Sequence, residues 1–244
     1  MGGQSNIRTR KVSGMTRFDE LFELGREAVL SRTHGCDKPP VDGGRWGIAV
    51  ILKPDTTLTH RLAEITNDTM RVAGSHHWPT GLPSAVHFTV RALEWFRTEV
   101  PEDDPSVARY AAALERAAKR AKPVALTVGG LTLTPSCVMV CAEPVDETAT
   151  ELAQALAGEL GPDGWLEEDF NRNIWYATLV HFAGPIDDPR ALVDWVQQRR
   201  ETLVARADFG RVYFDRVYFD RAQLIRYTFN GRHTELVTLA SVVL

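Results

Sequence analysis

Cysteine is scarce in this chain. Cys36, Cys137 and Cys141 are the only three in 244 residues, too few and too unevenly spaced for a disulfide framework, and an odd count fits a reducing compartment. No apolar run approaches the roughly 20 residues that a membrane-crossing helix needs, so no membrane partner is expected. Glycine-rich phosphate loops of the Walker or dinucleotide type are missing too, and Gly129-Gly130 reads as a turn. Nor is positive charge in excess: the formal net charge of -4 gives no reason to expect long nucleic acid, while leaving room for a small anionic ligand at a locally positive site. The adjacent His76 and His77 invite a metal, but no His-x-x-x-His spacing or carboxylate cluster joins them. Neither metal nor cofactor is expected. The opening segment, Met1 to Gly14, is polar and basic without the apolar core of a signal peptide, and the expected location is cytoplasmic.

What is present is ordinary globular composition, 44% hydrophobic and 25% charged, enough for one large or two small domains. Apolar residues at helical spacing predict a helix from Thr16 to Ser31. A loop rich in Gly and Pro follows, from Gly35 to Gly44. Then come a strand at Trp46 to Leu52, a helix at Thr57 to Val72 closed by Gly74, and a strand at Ala85 to Leu93. Asp104-Pro105 supplies a cap and a first-turn proline for a helix to about Ala121. Strands at Val124 to Val128 and Leu131 to Thr134 complete this half. A second round follows: strand Cys137 to Ala142, helix Glu147 to Leu160, strand Trp175 to Phe182, and an Asp188-Pro189 helix to about Val204, with further strands to the C-terminus. Cys137, Met139 and Cys141 share one strand parity and read as core packing.

Both halves hold a histidine inside an apolar, β-branched run: Val86-His87-Phe88-Thr89-Val90 and Leu179-Val180-His181-Phe182-Ala183. Strict alternation puts Val86, Phe88 and Val90 on one face and His87, Thr89 and Arg91 on the other. In the second run Val180 and Phe182 back His181, the position matching Thr89 is Ala183, and Tyr176 falls off the His181 face unless a bulge intervenes. The repeated order of strand, proline turn, helix, histidine strand and Asp-Pro helix suggests a duplicated unit. The expected fold is α+β, two pseudo-symmetric lobes of antiparallel sheet with outer helices and a central cleft between the histidine strands. The divisions read are a flexible tail over 1–14, a helix and loop over 15–45, and a bilobal domain over 46–244, expected to be a monomer. The tandem Arg211-Val212-Tyr213-Phe214-Asp215 and Arg216-Val217-Tyr218-Phe219-Asp220 predicts a bend or bulge, since copies five residues apart present opposite faces of a straight strand, and it reads at least as well as replication slippage without function as it does as a binding feature.

With two histidine strands in this order, the sequence resembles the two-histidine (2H) phosphoesterase superfamily, which includes 2′-5′ RNA ligase-like proteins and cyclic nucleotide phosphodiesterases. Its signature, His-x-Thr/Ser-x-apolar, occurs once per lobe. His87-Phe88-Thr89-Val90 fits it; His181-Phe182-Ala183-Gly184 keeps the histidine and the strand. The resemblance covers Trp46 to Leu244, and the Thr16 to Ser31 helix has no place in it. It implies metal-independent hydrolysis of a cyclic phosphate or 2′-5′ phosphodiester in a small nucleotide or short RNA.

The residues suit that chemistry. One group must take a proton from the attacking oxygen and another protonate the leaving oxygen, and histidine, with an ordinary pKa of about 6.5, does either. His87 and His181 are the expected catalytic pair. Thr89 and Arg91 are expected to hold phosphate oxygens, and Trp78, with His77 at the cleft rim, to stack on a base. Tyr176 is a further candidate for substrate binding from the strand's entry. Ala183 motivates an alternative, a catalytically degenerate protein that binds a nucleotide or a protein partner without turnover.

Overall fold

A computed structural model describes residues 16–167, 174–201 and 216–244. The tail over 1–14 and the first copy of the tandem repeat lie outside the described residues. The chain opens with helix α1 (Arg17–Leu30), whose start is fixed by a capping box: Asp19 N donates to Thr16 Oγ1 and Thr16 N to Asp19 Oδ2. There follow β1 (Ile48–Leu52), α2 (Thr56–Ala73), β2 (Phe88–Ala92) and α3 (Pro105–Ala118), then β3 (Val124–Leu133), β4 (Cys137–Pro144) and α4 (Thr148–Leu160). After a 3-10 segment at Gly161–Glu167 come β5 (Trp175–His181), α5 (Pro189–Gln197), β6 (Val217–Phe219), β7 (Arg221–Phe229) and β8 (Thr234–Val243). Asp104 and Asp188 cap their helices as the sequence suggests, accepting from Ser106 N and Val107 N and from Ala191 N, and Asp55 caps α2 by accepting from Leu58 N.

The strands form two antiparallel sheets of four, ordered β2-β1-β7-β8 and β5-β4-β3-β6. The two sheets match in having a histidine strand at one edge, β2 or β5, beside the strand that opens each half, β1 or β4. The fold is the expected α+β arrangement of two similar lobes with helices outside. Val50, Leu52, Phe88 and Leu224 of the first sheet and Leu126, Val138, Val140 and Leu179 of the second face the helices in a single core.

Four local readings are corrected. The strand assigned to the end of the first half, β3, belongs to the second sheet, and the C-terminal hairpin β7–β8 completes the first. Periodicity marks a strand but is silent on its partner. The two strands read on either side of Gly129-Gly130 are one: Gly130 takes φ +75°, the register to β4 shifts there, and Leu131 N turns aside to donate to Arg199 O at 3.0 Å. Helix α5 ends at Gln197, because Gln198 caps it and Arg199 N and Arg200 N close tighter turns on Val196 O and Gln197 O; positions 202–204 lie outside the described residues. The N-terminal helix is no appendage, since α1 buries Phe22, Gly25 and Val29 against β3 and α5. At Gly25 an added Cβ would stand 2.6 Å from the backbone carbon of Leu133.

The first sheet is also curled. Leu236 N, at the start of β8, donates to Ser84 O at 3.0 Å, just ahead of β2, so the β7–β8 hairpin folds back over the first histidine strand. Among the described residues no helix is long and apolar enough to cross a membrane.

Candidate functional site

The inner faces of the two sheets enclose a cleft of about 460 Å³ lined by both His87 and His181. Their meeting follows from topology. Each comes from the edge of its sheet, and Trp78, in the loop that leads to β2, forms an antiparallel bridge with His181.

His87 lies immediately before β2 and is half-buried. Its Nδ1 is 2.7 Å from the carbonyl oxygen of Ala85. A carbonyl only accepts, so Nδ1 carries the hydrogen and, in the neutral ring, Nε2 carries the lone pair. That Nε2 is 2.8 Å from the hydroxyl of Tyr227, which therefore donates to it. The two rings meet edge to face at 5.6 Å.

His181 is held by a different device. Its Nδ1 lies 2.8 Å from Asp37 Oδ2, with both side chains about nine-tenths buried, although the approach is too bent for a full hydrogen bond. The carboxylate is itself fixed, since Asp37 N donates to Phe182 O at 2.7 Å and Arg45 Nη1 reaches Asp37 Oδ1 at 3.2 Å. Arg45 also lies over the Trp46 ring, which stands edge to face against His181. Asp37 sits in the Gly/Pro-rich loop, where the sequence shows an ordinary loop Asp. Nothing in its local pattern signals a partner from the far half of the chain.

The faces of the two histidine strands are decided by bulges. In β2 the register to β1 slips at Val90, so Thr89 pairs with Ile51 on the cleft side while Arg91 pairs with Val50 on the helix side. Thr89 and Ala92 line the cleft; Arg91 does not. Its Nη2 donates instead to Gly164 O at 2.7 Å. In β5 the slip falls at Leu179, so Tyr176, Thr178 and His181 pair with Cys141, Met139 and Cys137 on one face. Tyr176 thereby joins His181 at the cleft, as does Thr178, which alternation had hidden. One bulge in each strand inverts both parity arguments.

The same registers revise the cysteine stripe. Cys137 and Met139 are buried as expected, but they form the cleft floor while Val138, Val140 and Ala142 face the helices. Burial pushes the thiols up, Cys141 to about 12, so both stay protonated and inert as nucleophiles.

Trp78 is not at the rim. It is 6% exposed and wedged among Trp46, Phe229 and His181, with no free face for a base. Trp95, 46% exposed, is a tryptophan at the cleft wall with a solvent-facing side chain. His77 lies behind the strand, its Nε2 3.1 Å from Ala73 O and its Nδ1 accepting from Ala183 N at 3.2 Å. Thus Ala183, the residue without a hydroxyl, is tied by its backbone to the His77 ring, which in turn is held by the end of α2. Serine and threonine hydroxyls do line the His181 end of the cleft, from Thr80, Thr134, Ser136 and Thr178. Among the described residues no three His, Cys, Asp or Glu side chains converge to hold a metal ion.

The architecture is shared with solved structures of low sequence identity. TT0787 of Thermus thermophilus superposes with a TM-score of 0.58 at 18% identity, covering 81% of this chain and 97% of that one. A structure titled as a phosphoesterase gives 0.51 at 14% identity over 82% and 98%, and E. coli LigT complexed with 3′-AMP gives 0.50 at 10% over 82% and 98%. No protein-family model and no curated protein matches the sequence. At these identities the likeness is one of fold.

Proposed function

We propose that the cleft hydrolyses a phosphodiester, a cyclic phosphate or 2′-5′ linkage of a nucleotide or short RNA, with His87 and His181 as its general acid and base. The observation that carries the reading is the pair itself. Two histidines from corresponding edges of two similar sheets line one cleft, each with Nδ1 engaged on the side away from the reaction, by the Ala85 carbonyl and the Asp37 carboxylate. A water oxygen attacks phosphorus, one histidine takes its proton, and the other protonates the leaving oxygen as the P–O bond breaks. Nε2 is the nitrogen of each ring proposed for that work, and at His87 it is shared with the Tyr227 hydroxyl. The two rings supply both proton transfers, so the reaction is proposed to need no metal.

Thr89 is proposed to donate to a non-bridging phosphate oxygen from beside His87, and Tyr176 to line the substrate's path on the opposite wall. Trp95 takes the base-stacking role first considered for Trp78. The fold likeness adds support for a nucleotide ligand, since E. coli LigT forms complexes with phosphate, 3′-AMP and ATP.

The test is turnover of a panel of 2′,3′-cyclic nucleotides and 2′-5′ dinucleotides by the wild type, His87→Ala and His181→Ala, with and without a chelator. The expected result is product from the wild type alone, unaffected by chelation. Equal turnover by all three proteins would overturn the reading. Ala183 favours a second reading, ligand binding without turnover, and saturable nucleotide binding with no product would select it.

A further inference from the structure

The His-x-Thr pattern is complete at His87 but broken at Ala183, so the second motif brings no hydroxyl donor of its own to a phosphate held between the two histidines. We propose that Tyr227 supplies one: its phenol is a catalytic donor to a non-bridging phosphate oxygen, released to that oxygen when His87 takes up a proton. The proposal rests on the phosphodiesterase reading above and assigns to this site a residue from a third strand, far from either histidine in sequence.

The geometry that supports it begins with the curl of the first sheet. The Leu236–Ser84 hydrogen bond brings the β7–β8 hairpin over the segment before β2, and Tyr227, paired with Leu236 across that hairpin, is thereby set against His87. The Tyr227 ring packs beside Ala49, Ile51, Ile225 and Leu236 on the inner face of the sheet, so its position is fixed by apolar contacts and its hydroxyl projects to the cleft. That hydroxyl is 2.8 Å from His87 Nε2.

The proton arrangement gives the contact a direction. With Nδ1–H committed to the Ala85 carbonyl, the neutral ring can only accept at Nε2, and Tyr227 donates to it. Nε2 has one lone pair, so a water that hands it a proton displaces the phenol hydrogen and sits beside the phenol oxygen, within hydrogen-bond reach of it. Once Nε2 has taken the proton of the attacking water it becomes a donor and can no longer accept from the phenol. The Tyr227 hydrogen must then find another acceptor. The phosphoryl oxygen beside it gains negative charge in the same step, so the donor arrives as the charge develops, the condition under which such a bond accelerates a reaction. No proton leaves Tyr227 in this step; the phenol only exchanges one hydrogen-bond acceptor for another.

The experiment compares wild type, Tyr227→Phe and His87→Ala on a 2′,3′-cyclic nucleotide, then wild type and Tyr227→Phe on its two phosphorothioate diastereomers. Phenylalanine keeps the ring in its apolar setting, and an unchanged melting temperature verifies that. The expected outcome is a kcat about 100-fold lower in Tyr227→Phe with KM within about threefold of wild type, the signature of a donor used mainly in the transition state. Wild type should discriminate between the diastereomers, because sulfur accepts the phenol hydrogen poorly in only one of them, and that discrimination should collapse in Tyr227→Phe. A purely structural role would leave it intact. Turnover by wild type, loss in His87→Ala and undiminished kcat in Tyr227→Phe would overturn the assignment of Tyr227 alone. Undiminished activity in His87→Ala would overturn the two-histidine reading and this inference with it.

Discussion

Trp78 and His181 exchange both backbone hydrogen bonds, Trp78 N to His181 O at 2.9 Å and His181 N to Trp78 O at 3.0 Å. A segment of the first half is thus an extra strand residue for the second sheet. The indole above this bridge touches Trp46, Phe229 and the His181 ring. Trp78→Ala is expected to destabilise the protein by about 3–5 kcal/mol, the usual cost of emptying a large buried site, whereas Trp95→Ala is expected to leave stability within about 0.5 kcal/mol and to raise KM for a nucleotide. Denaturant unfolding and steady-state kinetics on both variants check the split.

Asp37 holds the His181 ring from a loop at the other end of the chain. Asp37→Asn keeps the shape but removes the charge beside Nδ1 and allows the wrong tautomer, so kcat is expected to fall about 10- to 100-fold or more, as when a functional histidine loses its orienting partner. Arg45→Ala, which frees the far oxygen of the same carboxylate, is expected to have the smaller effect. Rate measurements under saturating substrate would settle the order; a larger loss from Arg45→Ala would contradict it.

His77 gives a pH signature in stability. Burial holds its pKa below the ordinary value, and its two ring nitrogens are matched to the neutral form, one donating to Ala73 O and the other accepting from Ala183 N. The unfolded chain binds a proton near pH 6.5 and the folded one only at lower pH. Its contribution is therefore intact above about pH 6.5 and lost as pH falls from there through the folded-state value. Urea unfolding across this range, wild type against His77→Leu, is expected to show a fall in the wild type that the variant lacks.

Gly25→Ala tests whether α1 is integral to the fold. In an open helix this substitution stabilises by about 1 kcal/mol. Here the new methyl would collide with Leu133 backbone at 2.6 Å, and the expected result is a loss of about 1–3 kcal/mol, as for other overpacked cores. A rise in melting temperature would mean that α1 sits more loosely on β3.

The elements themselves were legible because capping aspartates, first-turn prolines and hydrophobic period act locally: Asp104-Pro105 and Asp188-Pro189 open helices where the sequence places them. The two histidines were legible for the same reason, each inside its own apolar run. What escaped was everything decided between distant segments. The bulges at Val90 and Leu179 arise from pairing with β1 and β4, and no pattern within β2 or β5 announces them. They send Arg91 away from the cleft and bring Tyr176 and Thr178 into it. Asp37, Trp95 and Tyr227 acquire their places only from the closure of loops and hairpins on one another.

The pairing of β1 with β7 sets the order in which the chain can assemble. The first sheet needs residues from near both ends, so its central strand waits with one edge bare until 221–229 are available. The second sheet can pair β4 with β3 and β5 from neighbouring sequence well before that. Such long-range closure slows folding and leaves an apolar strand edge open to wrong partners meanwhile. Refolding experiments should therefore find the lobe carrying His181 structured first, and the cleft, with His87 and Tyr227 in contact, completed last.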